Sequence, residues 1–373
     1  MNSDRVLTAR ALNRAYLARQ GLLERVLIDP VTLVRRLIAL QGQATHPPYT
    51  ALWNRIQGTS TRDIDTALTD GRLVRLALFR STIHVIAGDE VHPLRTITVP
   101  LLERDFPPHM RAAMARVDRA AAIARMRAVS ESGPISWSAL GQAVLSEFPV
   151  GDVAGESDVR MLSRLARNFM PMIAVPPSML WGDNSPGRYR PHASIDHPPL
   201  DEDEIGVART DLVRRYVAAY GPTSAAALTA FTGVSGWPRT FRALADEFVH
   251  LEGPGGALVD LPDAPRPGDD VPVPVRLMAE WDSPLHSRTD DARLVPAARK
   301  PLVYTKNGIM PATVLVDGLV DGTWRFRVTP KRATLTVVPT SRWSQRIRRE
   351  VEQEALRYLE FAAHGVPAVV EID

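Results

Sequence analysis

Two glutamines separated by a single glycine, Gln41 and Gln43, are the side chains whose spacing most suggests a chemical role. A carboxamide oxygen accepts a hydrogen bond and the amide nitrogen donates one, although glutamine cannot act as a general base near neutral pH. Two amides that face one small volume could hold a water molecule between them and stabilise a developing positive charge. A purely structural helix end, whose amides bond to loop backbone, would contain the same residues.

A helix over residues 29–40 is expected to position this pair. The segment opens with an Asp-Pro dipeptide, which is typical of an N-cap followed by the first helical residue. Helical periodicity would place Gln41 on the apolar face of that helix. Gly42 is expected to end the helix, so that Gln43 enters non-helical backbone and both amides can share one side.

The surrounding chain predicts a repeated unit of helices followed by strands. Helical patterns lead into the strand-like run "LVRLALFRSTIHVIAG", and a Gly-Pro-x-Ser motif then twice precedes an Ala/Leu-rich helix, with Ser136 and Ser224 as N-caps. Each of these helices leads through an arginine-containing helix, at 160–168 and 239–248, into a β-branched stretch. Three short helices followed by a β-hairpin describe a winged helix, a helix-turn-helix variant that can reach nucleic acid.

We therefore predict an α+β fold with three tandem winged-helix modules, a C-terminal β-hairpin region and a terminal helix. Turn signals at Asp317 and Gly318, or at Asp321 and Gly322, mark the hairpin. The predicted regions are module 1 with the Gln-x-Gln pair (1–130), module 2 (131–200), module 3 (201–285) and the hairpin region with its helix (286–373).

Charge is distributed unevenly along the 373 residues, whose formal net charge is +3. Residues 1–130 carry 19 arginines against 11 acidic residues, whereas residues 150–270 carry 11 arginines against 17. The basic N-terminal third favours a polyanionic partner such as nucleic acid, although a solvated basic face would give the same count. Only three of the 45 basic residues are lysines, and arginine suits bidentate contacts to phosphate.

Absent residue types restrict the chemistry further. The chain has no cysteine, which excludes disulfides, thiolate metal sites, iron–sulfur clusters and a cysteine nucleophile. Glu280, Asp282 and His286 could suggest a metal site, but their spacing shows no convergence, so neither a metal nor a cofactor is predicted. The sequence has no signal-peptide pattern and no long apolar run, which indicates a cytoplasmic protein without a membrane partner.

Four segments carry a resemblance to a known family. They are "ALQGQ" (39–43), "FRSTIHVI" (79–86), "EWDSPLHSRTD" (280–290) and "VLVDGLVDGTWR" (314–325). With them the whole chain resembles the bacterial tandem winged-helix DNA glycosylases, which include azinomycin-resistance and crosslink-unhooking enzymes. The resemblance implies a concave basic surface, hydrolytic removal of N7-alkylated guanine, and a catalytic role for Gln41 and Gln43. Because the crosslink-unhooking branch has an acid at position 43, the azinomycin-type branch is favoured.

The implied reaction suits a site built from amides. An N7-alkylguanine already carries positive charge, so it can leave without the protonation that glycoside hydrolysis usually requires. A strand-cleaving glycosylase would need an amine for a Schiff base, and no lysine occurs in residues 1–299. We predict a monofunctional, monomeric enzyme that acts at the nucleoid on duplex DNA with alkylated or crosslinked purines and leaves an abasic site. The N-terminal amine remains a candidate nucleophile.

Other candidates for DNA contact have two interpretations each. Arg80 and His84 could contact a lesion or a phosphate, or could belong to the core or the surface of a strand. Trp53 could be a stacking platform or a core residue. No role is carried over to His286 or Arg288, because their segment departs from the family pattern. The resemblance implies a hairpin that contacts the DNA minor groove at Asp317, Gly318, Asp321 and Gly322. A plain hairpin with a tip that faces solvent is the alternative.

Two other functions are open from the sequence. A non-catalytic winged-helix regulator would also bind DNA, but regulators usually dimerise on two half-sites, whereas this chain is predicted to supply three modules in one polypeptide. A Ser/His/Asp hydrolase is disfavoured, because no G-x-S-x-G motif occurs.

Overall fold

Helices alternate with small antiparallel sheets before a larger C-terminal sheet in the computed structural model, so the fold is mixed α/β. The structure describes residues 6–106, 108, 110, 111, 115, 117–148, 156–285 and 293–373. Helix α1 (Ala9–Arg19) comes first, and a unit of three helices and three strands follows it. That first unit consists of α2 (Pro30–Leu37), β1 (Leu40–Gln41), α3 (His46–Arg55), α4 (Thr61–Thr69), β2 (Leu73–Ala77) and β3 (Ile83–Ala87).

Helix α2 is shorter than the sequence predicts. Asp29 caps it, with its carboxylate accepting hydrogen bonds from two backbone amides, but the helix ends at Leu37 because Ile38 has φ 70°. The predicted helical placement of Gln41 is therefore wrong. Gln41 lies in strand β1 and pairs with His84 of β3. Backbone pairing with a strand more than forty residues further on thus replaces the last turn of the predicted helix.

The order of three helices followed by two paired strands, which the first unit has apart from β1, occurs twice more. After α5 (Val91–Arg104), the second unit consists of α6 (Arg119–Glu131), α7 (Trp137–Leu145), α8 (Glu156–Phe169), β4 (Met172–Ala174) and β5 (Tyr189–Pro191). The third unit consists of α9 (Glu202–Tyr220), α10 (Ala225–Thr232), α11 (Trp237–Ala243), β6 (Val249–Gly253) and β7 (Gly256–Asp260). Ser136 and Ser224 cap α7 and α10, which confirms both predicted N-caps.

The short segment between the first two helices of each unit pairs with the last strand of that unit. In the first unit, β1 pairs with β3. Isolated bridges join Ile135 to Tyr189 in the second unit and Thr223 to Val259 in the third. The first and third units also share a core, in which the ring centroids of Phe79 and Phe231 lie 5.5 Å apart. This shared core fixes the turn that precedes β3.

A five-stranded sheet with the strand order β12-β11-β10-β9-β8 and one long helix complete the chain. Its elements are β8 (Arg276–Met278), α12 (Lys300–Val303), β9 (Thr313–Val316), β10 (Leu319–Thr329), β11 (Arg332–Pro339), α13 (Gln345–Ala362) and β12 (Ala368–Ile372). Of the two predicted turns, the one at Asp317 and Gly318 joins β9 to β10, and both residues have positive φ. Asp321 and Gly322 lie within β10, where the register shifts.

Two packing relationships run across the predicted domain boundaries, which themselves remain predictions. Strand β8 pairs with β9 of the C-terminal sheet, although the boundary at residue 285 falls between them. Helix α6 contributes Ala122 and Met126 to the core of the second unit, although its residues span the boundary at 130. Across the described residues, none of the helices combines the length and the apolar character needed to cross a membrane.

Candidate active site

The two carboxamides of the Gln-x-Gln pair lie against each other at the protein surface. The amide nitrogen of Gln41 donates a hydrogen bond of 3.1 Å to the amide oxygen of Gln43. The hydroxyl of Thr82 donates to the other end of Gln41, at 3.2 Å from its amide oxygen. Gln41 is only 6% exposed, whereas Gln43 is exposed to solvent. The expected convergence of the two amides is therefore present, with Gln41 held in place and Gln43 facing outward.

Gly42 allows two strands to approach closely. Its amide donates a 2.8 Å hydrogen bond to the carbonyl of Ile83, and a Cβ at this position would come within 3.2 Å of the backbone of His84 and Val85. The prediction that Gly42 ends a helix is wrong, because the helix stops before β1 begins. The glycine is needed instead for strand contact, and that contact sets the direction of the two flanking amides.

Buried Arg75 holds the loop that carries Gln43. Its guanidinium donates hydrogen bonds to the carbonyls of Gly42 at 3.3 Å, Ala44 at 2.9 Å and Thr45 at 3.0 Å. Burial lowers the pKa of Arg75 to about 10, so the group stays charged at neutral pH. Sequence reasoning missed this residue. An arginine inside the apolar run "LVRLALF" is the signal that could have pointed to it, because a buried charge requires partners.

His84 and Arg80 are engaged inside the protein. His84 is 2% exposed, and its Nδ1 lies 3.1 Å from the carbonyl oxygen of Thr82. Burial lowers the pKa of His84 to about 3, so its ring is neutral near physiological pH. Arg80 has φ 50° and donates to the carbonyl of Phe231 in the third unit. DNA contact by either residue stays a prediction, and their observed contacts stabilise the turn that supplies Thr82.

Comparison with models of known protein families identifies the family of this chain. A family model described as "DNA glycosylase AlkZ-like" matches residues 34–361. The chain belongs to this family. It is therefore a DNA glycosylase, and the family predicted from the four sequence segments is confirmed.

One solved structure and one negative result complete the comparisons. The AlkZ-like chain is similar to Streptomyces sahachiroi DNA glycosylase AlkZ, with a TM-score of 0.77, 18% sequence identity, and coverage of 98% of this chain and 100% of that one. At this identity the likeness shows the fold. A search of curated proteins finds no match.

The predicted hairpin turn of the AlkZ-like chain packs on its first helix. The carboxylate of Asp317 pairs with Arg10 at 2.6 Å and Arg14 at 2.5 Å, and the carbonyl of Gly318 accepts a 2.8 Å hydrogen bond from Asn13. These contacts give the turn a structural role. Its contact with DNA, and that of Asp321 and Gly322 in β10, stays a prediction. The carboxylate of Asp321 accepts hydrogen bonds from Thr340, Ser341 and Trp343.

The "EWDSPLHSRTD" segment contacts α3 and the residue that precedes β1, the strand that carries Gln41. Asp282 forms a fully buried ion pair with Arg55 of α3, and the hydroxyl of Ser283 donates a 3.2 Å hydrogen bond to the carbonyl of Ala39, just before β1. His286 and Arg288 lie outside the described residues. Trp53 is 5% exposed and lies in the core. No group of three or more side chains suited to a metal ion occurs in the described part of the chain.

Replacing Arg75 with lysine is expected to lower kcat for base excision about tenfold and to leave KM unchanged. A lysine ammonium is a compact point charge that cannot replace the fork of the guanidinium across three carbonyls, so the loop with Gln43 would lose its fixed position. Single-turnover and steady-state kinetics on the same substrate measure the effect. Arg72→Lys is the matched control, because Arg72 is exposed and pairs with the nearby Asp70. An unchanged kcat with a lower melting temperature would show that Arg75 stabilises the fold and does not position Gln43 for catalysis.

Proposed function

We propose that this glycosylase hydrolyses the N-glycosidic bond of cationic N7-alkylguanine in duplex DNA, including crosslinked guanine, with Gln41 and Gln43 as catalytic residues. The observation that carries the proposal is the hydrogen-bonded pair of amides, of which one is held by Thr82 and the other faces solvent. In the described residues, no carboxylate forms a hydrogen bond with either amide. As far as the structure describes the chain, the amide pair thus offers positioning without a hydrogen-bonded acid.

The chemistry matches the leaving group. As the C1′–N9 bond breaks, its electron pair neutralises the positive charge of the alkylated ring, so the base departs without a proton from the protein. Water forms the new bond to C1′ and loses its proton to solvent. The amide of Gln43 can accept a hydrogen bond from that water and donate one to it, and an amide oxygen stabilises the developing sugar cation. An undamaged purine lacks the charge, and no described carboxyl group is hydrogen-bonded to the amide pair to supply a proton.

We also propose that the three repeated units are winged helices that form a concave basic surface for DNA. Their common order of elements and the pairing of the first short segment with the last strand support this assignment. Helix α8 occupies the position of the recognition helix in the second unit. It carries Arg160, Arg164 and Arg167 along one groove that also contains Ile83 of β3. Arg164 pairs with Asp105, and the arginines of this groove support DNA binding beside the strand that pairs with Gln41. We propose that the protein acts as a cytoplasmic monomer that wraps one lesion.

Incubation with a duplex that contains one N7-methylguanine tests the proposal. We expect alkali-labile abasic sites to accumulate and the undamaged duplex to stay intact, because only the alkylated base is its own leaving group. Borohydride is expected to trap no covalent complex, because no lysine lies in residues 1–299. Tight binding without any abasic product would instead support a non-catalytic DNA-binding protein. A trapped adduct would overturn the monofunctional assignment.

A further inference from the structure

A pocket opens directly beside the catalytic loop. It has a volume of about 190 Å³ and begins at Ala44, the residue that follows Gln43. The loop, α3, the end of β8, β10 and α13 contribute its walls. Its main lining side chains are His46, Thr50, Glu280, Trp324, Phe326 and Tyr358. Ala44 therefore joins the pocket to the loop that carries Gln43, although neither glutamine lines the pocket.

Four aromatic side chains contribute to the pocket wall. Ring centroids lie 5.5 Å apart for His46 and Phe326, 5.3 Å apart for Phe326 and Tyr358, and 4.8 Å apart for Trp324 and Tyr358. Burial and the charge of Arg75 lower the pKa of His46, which favours its neutral ring. Flat aromatic faces bind planar heterocycles by stacking, and their quadrupoles attract cations. The rings meet edge to face, with interplanar angles of 70°, 82° and 69°, so a planar cation would stack on one ring and meet the edges of the others.

Glu280 supplies an anionic group at the mouth of this pocket. No described residue forms an ion pair or a hydrogen bond with its carboxylate, and desolvation raises its pKa. Arg325 also lines the pocket, but the two side chains do not pair. A carboxylate that is partly desolvated and lacks a described partner is stabilised by any cation that enters beside it. The side of the pocket at Glu280 therefore favours a cationic guest over a neutral guest of the same shape, whereas Arg325 favours an anion at its own side.

We infer that this pocket binds a purine that carries a small N7-alkyl group and no crosslink, extruded from the duplex as a planar cation, with an aromatic ring stacking on it and Glu280 as its counter-charge. The inference rests on the proposed function and adds the recognition of the base. Extrusion into a pocket is the general way in which an enzyme reaches a base that is otherwise stacked. The site would then discriminate twice, because both departure and binding of the base require the positive ring. Neutral guanine would gain only the stacking.

Binding of nucleosides in the absence of DNA tests the inference separately from excision. Quenching of tryptophan fluorescence, to which Trp324 contributes from within the pocket, reports occupancy. We expect 7-methylguanosine to bind at least about tenfold more tightly than guanosine, as one charge contact beside aromatic rings would give. Glu280→Gln should abolish this preference and retain the fold, because the side chain is exposed at the mouth and changes only in charge. Glu352→Gln, on the exposed side of α13, is the matched control.

The outcomes separate the two hypotheses. Equal affinity for the two nucleosides, or a Glu280→Gln variant that still prefers 7-methylguanosine, would overturn the inference even if N7-methylguanine is excised. Displacement of 7-methylguanosine by inorganic phosphate would identify an anion site at Arg325 and would overturn it as well. Absence of excision by the wild-type protein would remove the proposed function, whereas selective nucleoside binding would still establish the cation pocket. Raised KM in the Glu280→Gln variant, with kcat nearly unchanged, would support base recognition by this residue.

Discussion

Replacing Gln43 with alanine is expected to lower the single-turnover rate of N7-methylguanine excision about 100-fold to 1000-fold, the range seen when one transition-state hydrogen-bonding group is removed. Gln43 is the solvent-facing member of the amide pair, and its oxygen accepts the only hydrogen bond that the structure shows between the two side chains. The alanine variant would lose the group that orients water, whereas the backbone loop would stay attached to Arg75. Affinity for the duplex, measured by fluorescence anisotropy, is expected to remain within about twofold, because the substitution changes no charge and phosphate contacts by charged groups dominate duplex affinity.

Two further variants test whether the loss of excision is specific to the side chain of Gln43. Gln353→Ala removes an exposed glutamine from α13 and should leave both excision and melting temperature unchanged. Gln43→Glu keeps an oxygen acceptor at the same position and should retain substantial activity. If Gln43→Ala excises at the wild-type rate, the amide pair is structural and the catalytic assignment is lost. If excision and duplex affinity fall together, Gln43 contributes to DNA binding instead.

Asp282→Ala is expected to lower the free energy of unfolding by about 3–5 kcal/mol, because it leaves the Arg55 guanidinium buried without its counter-charge. The pair is bidentate, with nitrogen–oxygen distances of 2.8 Å and 3.0 Å, and both side chains are fully buried. It connects α3 to the segment whose Ser283 hydroxyl bonds to Ala39. Urea denaturation followed by tryptophan fluorescence measures the change.

The control for this prediction is an ion pair on the surface. Glu350→Ala removes the partner of Arg346 on α13, where the two side chains are 39% and 73% exposed, and exposed pairs contribute at most about 1 kcal/mol. The same substitution of a carboxylate by alanine should therefore have a far smaller effect there. A loss below about 1 kcal/mol for Asp282→Ala would show that the Arg55 charge finds other partners or reaches water.

Sequence patterns predicted the elements that depend on interactions between neighbouring residues. Ser136 and Ser224 cap their helices as expected, because a hydroxyl and a nearby backbone amide suffice for a cap. The extent of α2 could not be predicted in this way, because the strand that captures Leu40 and Gln41 comes from residues 83–87. The choice between the two hairpin turns likewise depends on strand pairing, and each dipeptide alone was compatible with a turn.

In the candidate site, too, some features depend on neighbouring residues and others on residues that are distant in the sequence. Convergence of Gln41 and Gln43 could be predicted, because residues i and i+2 can share one side once the backbone is not helical. The groups that orient them could not be predicted, because they come from distant parts of the sequence. Thr82 is 41 residues from Gln41, and Arg75 is 33 residues from Gly42. Glu280 is more remote still, and only the folded chain brings it to the same pocket as Ala44.

The attachment of the β9–β10 turn to α1 has a consequence for biosynthesis. Arg14 and Asp317 are separated by 303 residues, so α1 leaves the ribosome long before its partner has been made. Until then, the guanidinium of Arg14, which ends 1% exposed, has no native carboxylate beside it. Long-range contacts of this kind slow folding and leave a nascent segment open to other partners. Translation must therefore be nearly complete before the first helix can reach its native environment.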